Sequence, residues 1–153
     1  MENKTLRIIL IFVFIALVAG LGSVFVFLGA DWFNSLITPS EWVPNIVIPI
    51  VWTVIYLTFA IVFFFWEKGG SVPKEIYVCG LINGIFNVVW CLVFFTLNQL
   101  LLGLIAIIFN LVAGWIFWKK IHNQNKLYGK ILIIYPLWLS VATALNLALW
   151  ILN

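Results

Sequence analysis

Charge is what this sequence has least of. Only 8% of its 153 residues are Asp, Glu, Lys or Arg, where soluble domains carry roughly 25%, and 65% are hydrophobic at a mean hydropathy of +1.21. A water-soluble globular fold is excluded. Histidine and cysteine are equally scarce: His122 stands in a basic loop, and Cys79 and Cys91 sit twelve residues apart on one expected helix, about 18 Å by helical rise and too far for a disulfide or a shared metal. With no Cys-x-x-Cys-His, no glycine-rich phosphate loop and no paired carboxylates, neither metal, haem-ligating nor nucleotide chemistry has support, and no resident cofactor is expected.

Four windows hold no charged residue at all: Ile8 to Ala30, Val43 to Trp66, Ile76 to Trp118 and Ile131 to Asn153. A helix crosses the roughly 30 Å of hydrocarbon in about 20 residues, so the 43-residue window holds two spans and the others one each. The alternating ten-residue segments of a membrane barrel are absent. The expected fold is an all-α membrane protein, a bundle of five transmembrane helices in one domain over 1–153, with spans near 8–30, 45–66, 76–97, 100–118 and 131–151. Asn98-Gln99, the only adjacent polar pair in the long window, marks a tight helical hairpin there. The first span follows Lys4 and Arg7 as a signal peptide would, but it is too long and lacks a small-residue cleavage site, so it reads as a retained helix.

All eight basic residues fall on one side of this arrangement: Lys4, Arg7, Lys68, Lys74, Lys119, Lys120, Lys126 and Lys130. The positive-inside rule then puts the N-terminus inside and the C-terminus outside. The net charge of +3 records topology in a lipid bilayer, and no nucleic-acid partner is expected.

Aromatic residues are abundant, with nine Trp and fourteen Phe. Trp32, Trp42, Trp66, Trp118 and Trp150 lie near span boundaries, where indoles serve as interfacial anchors; Trp52, Trp90, Trp115 and Trp138 lie deeper. Polar residues inside spans face a bundle interior or cavity, and here they form stripes at helical spacing: Asn83, Asn87, Trp90 and Phe94 on span three, Tyr135, Trp138, Ala142 and Asn146 on span five, and Trp52 with Tyr56 on span two. Gly80 and Gly84 form a Gly-x-x-x-Gly motif, which serves either a homodimer seam or close packing within the chain. The segment from Asp31 to Pro44 holds Trp32, Phe33, Leu36, Ile37 and Trp42 with Pro39 and Pro44. It is too apolar for water and too broken by proline for one helix, so it is expected to fold over the outer mouth of the bundle as a lid at 31–44, with a plain interfacial segment as the alternative.

These motifs taken in order resemble one known family. Trp32-Phe33-x-x-Leu36-x-x-Pro39 and Trp42-x-Pro44 in the lid, Val51-Trp52-x-x-x-Tyr56, Asn83-x-x-x-Asn87-x-x-Trp90 with Phe94-Phe95, and Trp138-x-x-x-Ala142-x-x-Leu145-Asn146 are similar to the TspO/translocator proteins, also called tryptophan-rich sensory proteins or peripheral benzodiazepine receptors. The resemblance implies a five-helix membrane protein, often dimeric. It further implies an outer pocket, closed by the first loop, that binds porphyrins or other planar hydrophobic molecules of isoquinoline or benzodiazepine type, and in some members sterols. Carried over by motif, the ligand-binding residues are Phe33, Trp42, Trp52, Asn87, Trp90, Trp138 and Ala142. The main expectation is a binding protein that senses or transports such ligands. The runner-up is an enzyme degrading porphyrin in light and oxygen, with Trp52 and Trp138 as candidate catalytic groups. Two departures stand out: Thr38 occupies the place of the usual Lys before the lid proline, leaving no outer cation to grip porphyrin carboxylates, and Ala144 to Asn153 lacks the Tyr and base of the animal sterol pattern, itself a weak one. The short tails without a targeting extension fit a bacterial or archaeal cytoplasmic membrane.

Overall fold

In hydrocarbon each backbone N–H and C=O must be paired within its own segment, so a charge-free run of this length has the helix as its solution. A computed structural model describes residues 3–153 and contains helices α1 (Lys4–Leu28), α2 (Ala30–Ser35), α3 (Val47–Gly69), α4 (Lys74–Cys91), α5 (Leu100–Gln124), α6 (Lys126–Leu132) and α7 (Ile134–Leu152). Five units are long and apolar enough to span a membrane: α1, α3, α4 with its continuation to Thr96, α5, and α6 with α7. The protein is an all-α, five-span membrane bundle.

Local chemistry sets the ends of these helices. The Asn3 side chain accepts from the backbone N–H groups of Thr5 and Leu6, and that of Asn125 accepts from Tyr128, each satisfying donors that a first turn leaves orphaned. Pro136 offers no N–H to the carbonyl four residues back and crowds it, and the fifth span is interrupted just there, between Leu132 and Ile134. The hairpin break comes at Asn98, which takes φ 56°, a left-handed conformation that asparagine tolerates better than most residues. Before it, Leu92–Thr96 widens into a π-helical turn, which the sequence did not signal.

The basic residues gather at one end. Lys4 Nζ donates to the Lys68 carbonyl at 2.7 Å, Arg7 Nε to Glu67 at 3.1 Å and Lys120 Nζ to Glu75 at 3.1 Å, tying α1 to α3 and α5 to α4. Glu67, expected just beyond a span, lies inside α3 with no exposed surface. It also accepts from the Val72 N–H and the Tyr77 hydroxyl, which is how a buried carboxylate is made tolerable. At the opposite end Asn153 Oδ1 accepts from the Ile37 N–H at 2.8 Å and its Nδ2 donates to the Ile37 carbonyl at 3.0 Å, so the segment after α2 is tied to the residue that caps α7.

One expectation is revised and one open alternative is decided. Trp66 and Trp118, read as interfacial anchors, turn inward: Trp66 packs on Phe63 and Tyr128, and Trp118 donates to the Gly129 carbonyl at 2.8 Å. The glycine motif serves packing within the chain, since a Cβ on Gly84 would stand 2.5 Å from Phe14 of α1 and one on Gly80 3.2 Å from Phe117 of α5.

Candidate ligand-binding site

The interior amides pair across helices at three depths. Nearest the basic end, Asn83 Nδ2 donates to Asn110 Oδ1 at 2.9 Å while its own Oδ1 accepts from the Tyr135 hydroxyl, joining α4, α5 and α7. One turn along α4, Asn87 Nδ2 donates to the Tyr56 hydroxyl at 3.2 Å. Nearer the far end, Trp90 Nε1 donates to Asn146 Oδ1 at 3.2 Å. Asn110, the one amide within the apolar run of its span, was missed by the sequence reading, although its isolation there was the available signal.

Between the bundle and the segment after α2 lies a small cavity of about 40 Å³. Phe33, Trp52, Trp90, Trp138 and Ala142 all line it, so five of the seven residues anticipated for ligand binding come together. Thr38, Pro39 and Val43 close it from the loop. The other two stand apart: Trp42 is 68% exposed and outside the cavity, with its neighbour Val43 turned inward instead, and Asn87 borders a separate, larger cavity.

The walls are aromatic and mutually braced. Trp52 stacks on Tyr56 at 5.8 Å and lies 6.1 Å from Trp90, and Trp90 stacks on Phe94 at 6.2 Å. Phe33 meets Phe94 and Phe95, both of them buried although adjacent in sequence. In a regular helix neighbours diverge by about 100°; the wider π turn brings both inward. Trp138 is only 8% exposed, and its Nε1 has no hydrogen-bond partner among the described residues. A buried donor left this way costs about 1–3 kcal/mol.

The sequence matches the model of the TspO/MBR family over residues 9–151. The chain belongs to the TspO/MBR family. Relatives of this TspO/MBR protein include protein CrtK of Rhodobacter capsulatus, 27% identical over 132 residues covering 84% of this chain and 82% of the relative. The tryptophan-rich protein TspO of Archaeoglobus fulgidus is 28% identical over 123 residues, 80% of each chain, and that of Bacillus cereus is 26% identical over the same length and shares. Among the described residues, no group of three or more His, Cys, Asp or Glu side chains could hold a metal ion. The lining of the small cavity offers aromatic faces, apolar side chains and the buried, unpartnered Trp138 Nε1.

Proposed function

We propose that the small cavity is the closed form of a binding site for a planar hydrophobic ligand, a tetrapyrrole or an isoquinoline- or benzodiazepine-type compound, which the protein senses or transports. The observation that carries this reading is the buried, unpartnered Nε1 of Trp138 among the rings of Trp52, Trp90 and Phe33. A flat ligand with a carbonyl would stack on the indoles and accept from Trp138, relieving its unpaired donor. A volume of about 40 Å³ is close to the roughly 30 Å³ share of a single water molecule and far below the ~300 Å³ of a small-molecule site. Binding therefore requires residues 36–46 to lift and the Ile37–Asn153 pair to break. With Thr38 and Asn45 as the polar loop residues of the lining, the wall is neutral and favours uncharged ligands over porphyrin carboxylates.

On the positive-inside rule, the orientation we propose puts the basic end in the cytoplasm and the lid outside. A homodimer would use a face other than the Gly80–Gly84 motif. A second reading, porphyrin breakdown in light and oxygen with Trp52 or Trp138 giving up an electron, rests on the same indoles. The test is quenching of intrinsic tryptophan fluorescence by protoporphyrin, haem, a sterol and an isoquinoline carboxamide. Saturable quenching by a planar ligand is expected, weakened tenfold or more in Trp138→Ala. Unchanged affinity in both Trp52→Ala and Trp138→Ala would place the ligand elsewhere.

A further inference from the structure

The bundle's larger cavity, of about 570 Å³, lies toward the basic end between α1, α3 and α4, and shares no lining residue with the small one. Its walls are hydrocarbon, among them Phe14 and Val18 of α1, Ile55 and Phe59 of α3, and Leu81 of α4. The lining runs from Arg7 to Val18 along α1 and from Ile76 to Asn87 along α4, about 16 Å at 1.5 Å per residue. Leu10 and Leu81 line it and are also 55% and 50% exposed, so the slot opens sideways between α1 and α4, toward lipid.

One polar atom in this slot is unmatched. Asn87 is 4% exposed, and its Oδ1 has no partner among the described residues, while its Nδ2 is held by Tyr56. The neighbouring polar side chains are engaged: Asn83 with Asn110 and Tyr135, Arg7 and Tyr77 with Glu67. Hydrocarbon walls give water little to bond to, and a void of this size forfeits dispersion contacts along its lining. Arg7 and Glu67 cancel at the basic end, so nothing in the slot selects an anionic head.

From these observations we propose that the slot is a second ligand site, which takes a neutral, elongated hydrocarbon bearing a hydroxyl group from the bilayer and hydrogen-bonds that hydroxyl to the Asn87 amide at its deep end. A hydroxyl both donates and accepts, so it satisfies the amide whichever way the group is turned. This site does not depend on the small-cavity reading. It differs in helices, in shape and in the polarity it demands: Asn87 meets a hydroxyl, where Trp138 needs an acceptor.

The test is photolabelling of the protein in phosphatidylcholine bilayers with a diazirine-bearing long-chain alcohol, followed by mapping of labelled peptides. Label is expected on the facing segments of α1 and α4 around Phe14 and Leu81. Dodecanol should compete at least tenfold better than dodecyl methyl ether, which lacks the donor, or dodecanoate, which carries charge. Leu81→Trp, at a lipid-facing position where folding is not at stake, should plug the opening and cut labelling at least tenfold, whereas Trp138→Phe should leave it unchanged. Asn87→Leu should erase the preference for alcohol over ether. Label spread evenly over all lipid-facing helices, equal competition by alcohol and ether on the unaltered protein, or label confined to small-cavity residues such as Trp52, Trp90 and Trp138 themselves would each overturn the proposal.

Discussion

Replacing Trp138 with Phe separates what its ring does from what its N–H does. The ring is buried against the small cavity and the N–H has no partner among the described residues. In the ligand-free protein, the substitution removes an unpaired donor that costs about 1–3 kcal/mol but also gives up part of the indole's buried area and leaves a small void, a loss of about 1–2 kcal/mol. The two largely offset, and stability should fall by no more than about 1 kcal/mol. Affinity should behave differently. A ligand carbonyl seated against the substituted phenyl ring loses its donor in a water-poor site, about 1.4 kcal/mol or more, which is tenfold in affinity. An analogue without the carbonyl loses only ring contact and should weaken by about threefold. Quenching of the remaining Trp52 and Trp90 fluorescence by the two ligands, alongside thermal unfolding, measures all three quantities. Equal weakening for both ligands would refute the hydrogen-bonding role, and destabilisation well beyond 1 kcal/mol would refute the balance drawn for the free protein.

Gly29→Ala should destabilise the fold by about 3 kcal/mol, the upper end for overpacking, because its Cβ would lie 2.1 Å from the Phe95 carbonyl oxygen; denaturant titration in mild detergent measures this, and a loss under 1 kcal/mol would contradict it. Asn83→Leu strands both Asn110 Oδ1 and the Tyr135 hydroxyl, and should cost about 2 kcal/mol in the same titration without shifting ligand affinity. In a Cys79→Ser background, cysteine at Ser35 should react with an impermeant maleimide from outside right-side-out vesicles; reaction only at Gln124 would invert the orientation. If porphyrin is consumed at all, consumption should need light and oxygen and vanish in Trp52→Phe with Trp138→Phe even at porphyrin concentrations that saturate the variant. Loss in the dark would remove the catalytic reading.

Most of the scaffold was legible because a bilayer leaves the backbone few choices. Charge-free runs must be helices, and the Asn98-Gln99 break falls where the structure turns. The site was legible only in part, for a geometric reason. Spacing along a helix fixes the direction a residue faces but not the neighbour it meets at its depth. Asn83, Asn87, Trp90 and Phe94 do share a face, yet over about 16 Å of rise that face meets Tyr135 and Asn110, then Tyr56, then Asn146. Asn87 therefore falls beside the larger cavity and Trp90 beside the smaller. Trp42 lies among prolines, where no periodicity says which way a ring points. The π turn left no trace in the local sequence; in the structure its Phe94 lies against Gly103 and its Phe95 against Gly29.

Those two contacts differ in a way that suppressor genetics would expose. At Gly103 the obstacle to a new methyl group is chiefly the Phe94 side chain, with Cδ2 at 2.6 Å and Cβ at 2.9 Å, so a larger residue there has a potential rescuer in glycine at position 94, which removes both atoms. At Gly29 the obstacle is the backbone of Phe95 itself, and no substitution at position 95 removes a carbonyl. The first glycine is one half of a negotiable pair. The second is answerable only by moving the chain, so a revertant selected against a Gly29 lesion should restore glycine or shift the π turn, and the turn is thereby fixed to the root of the lid.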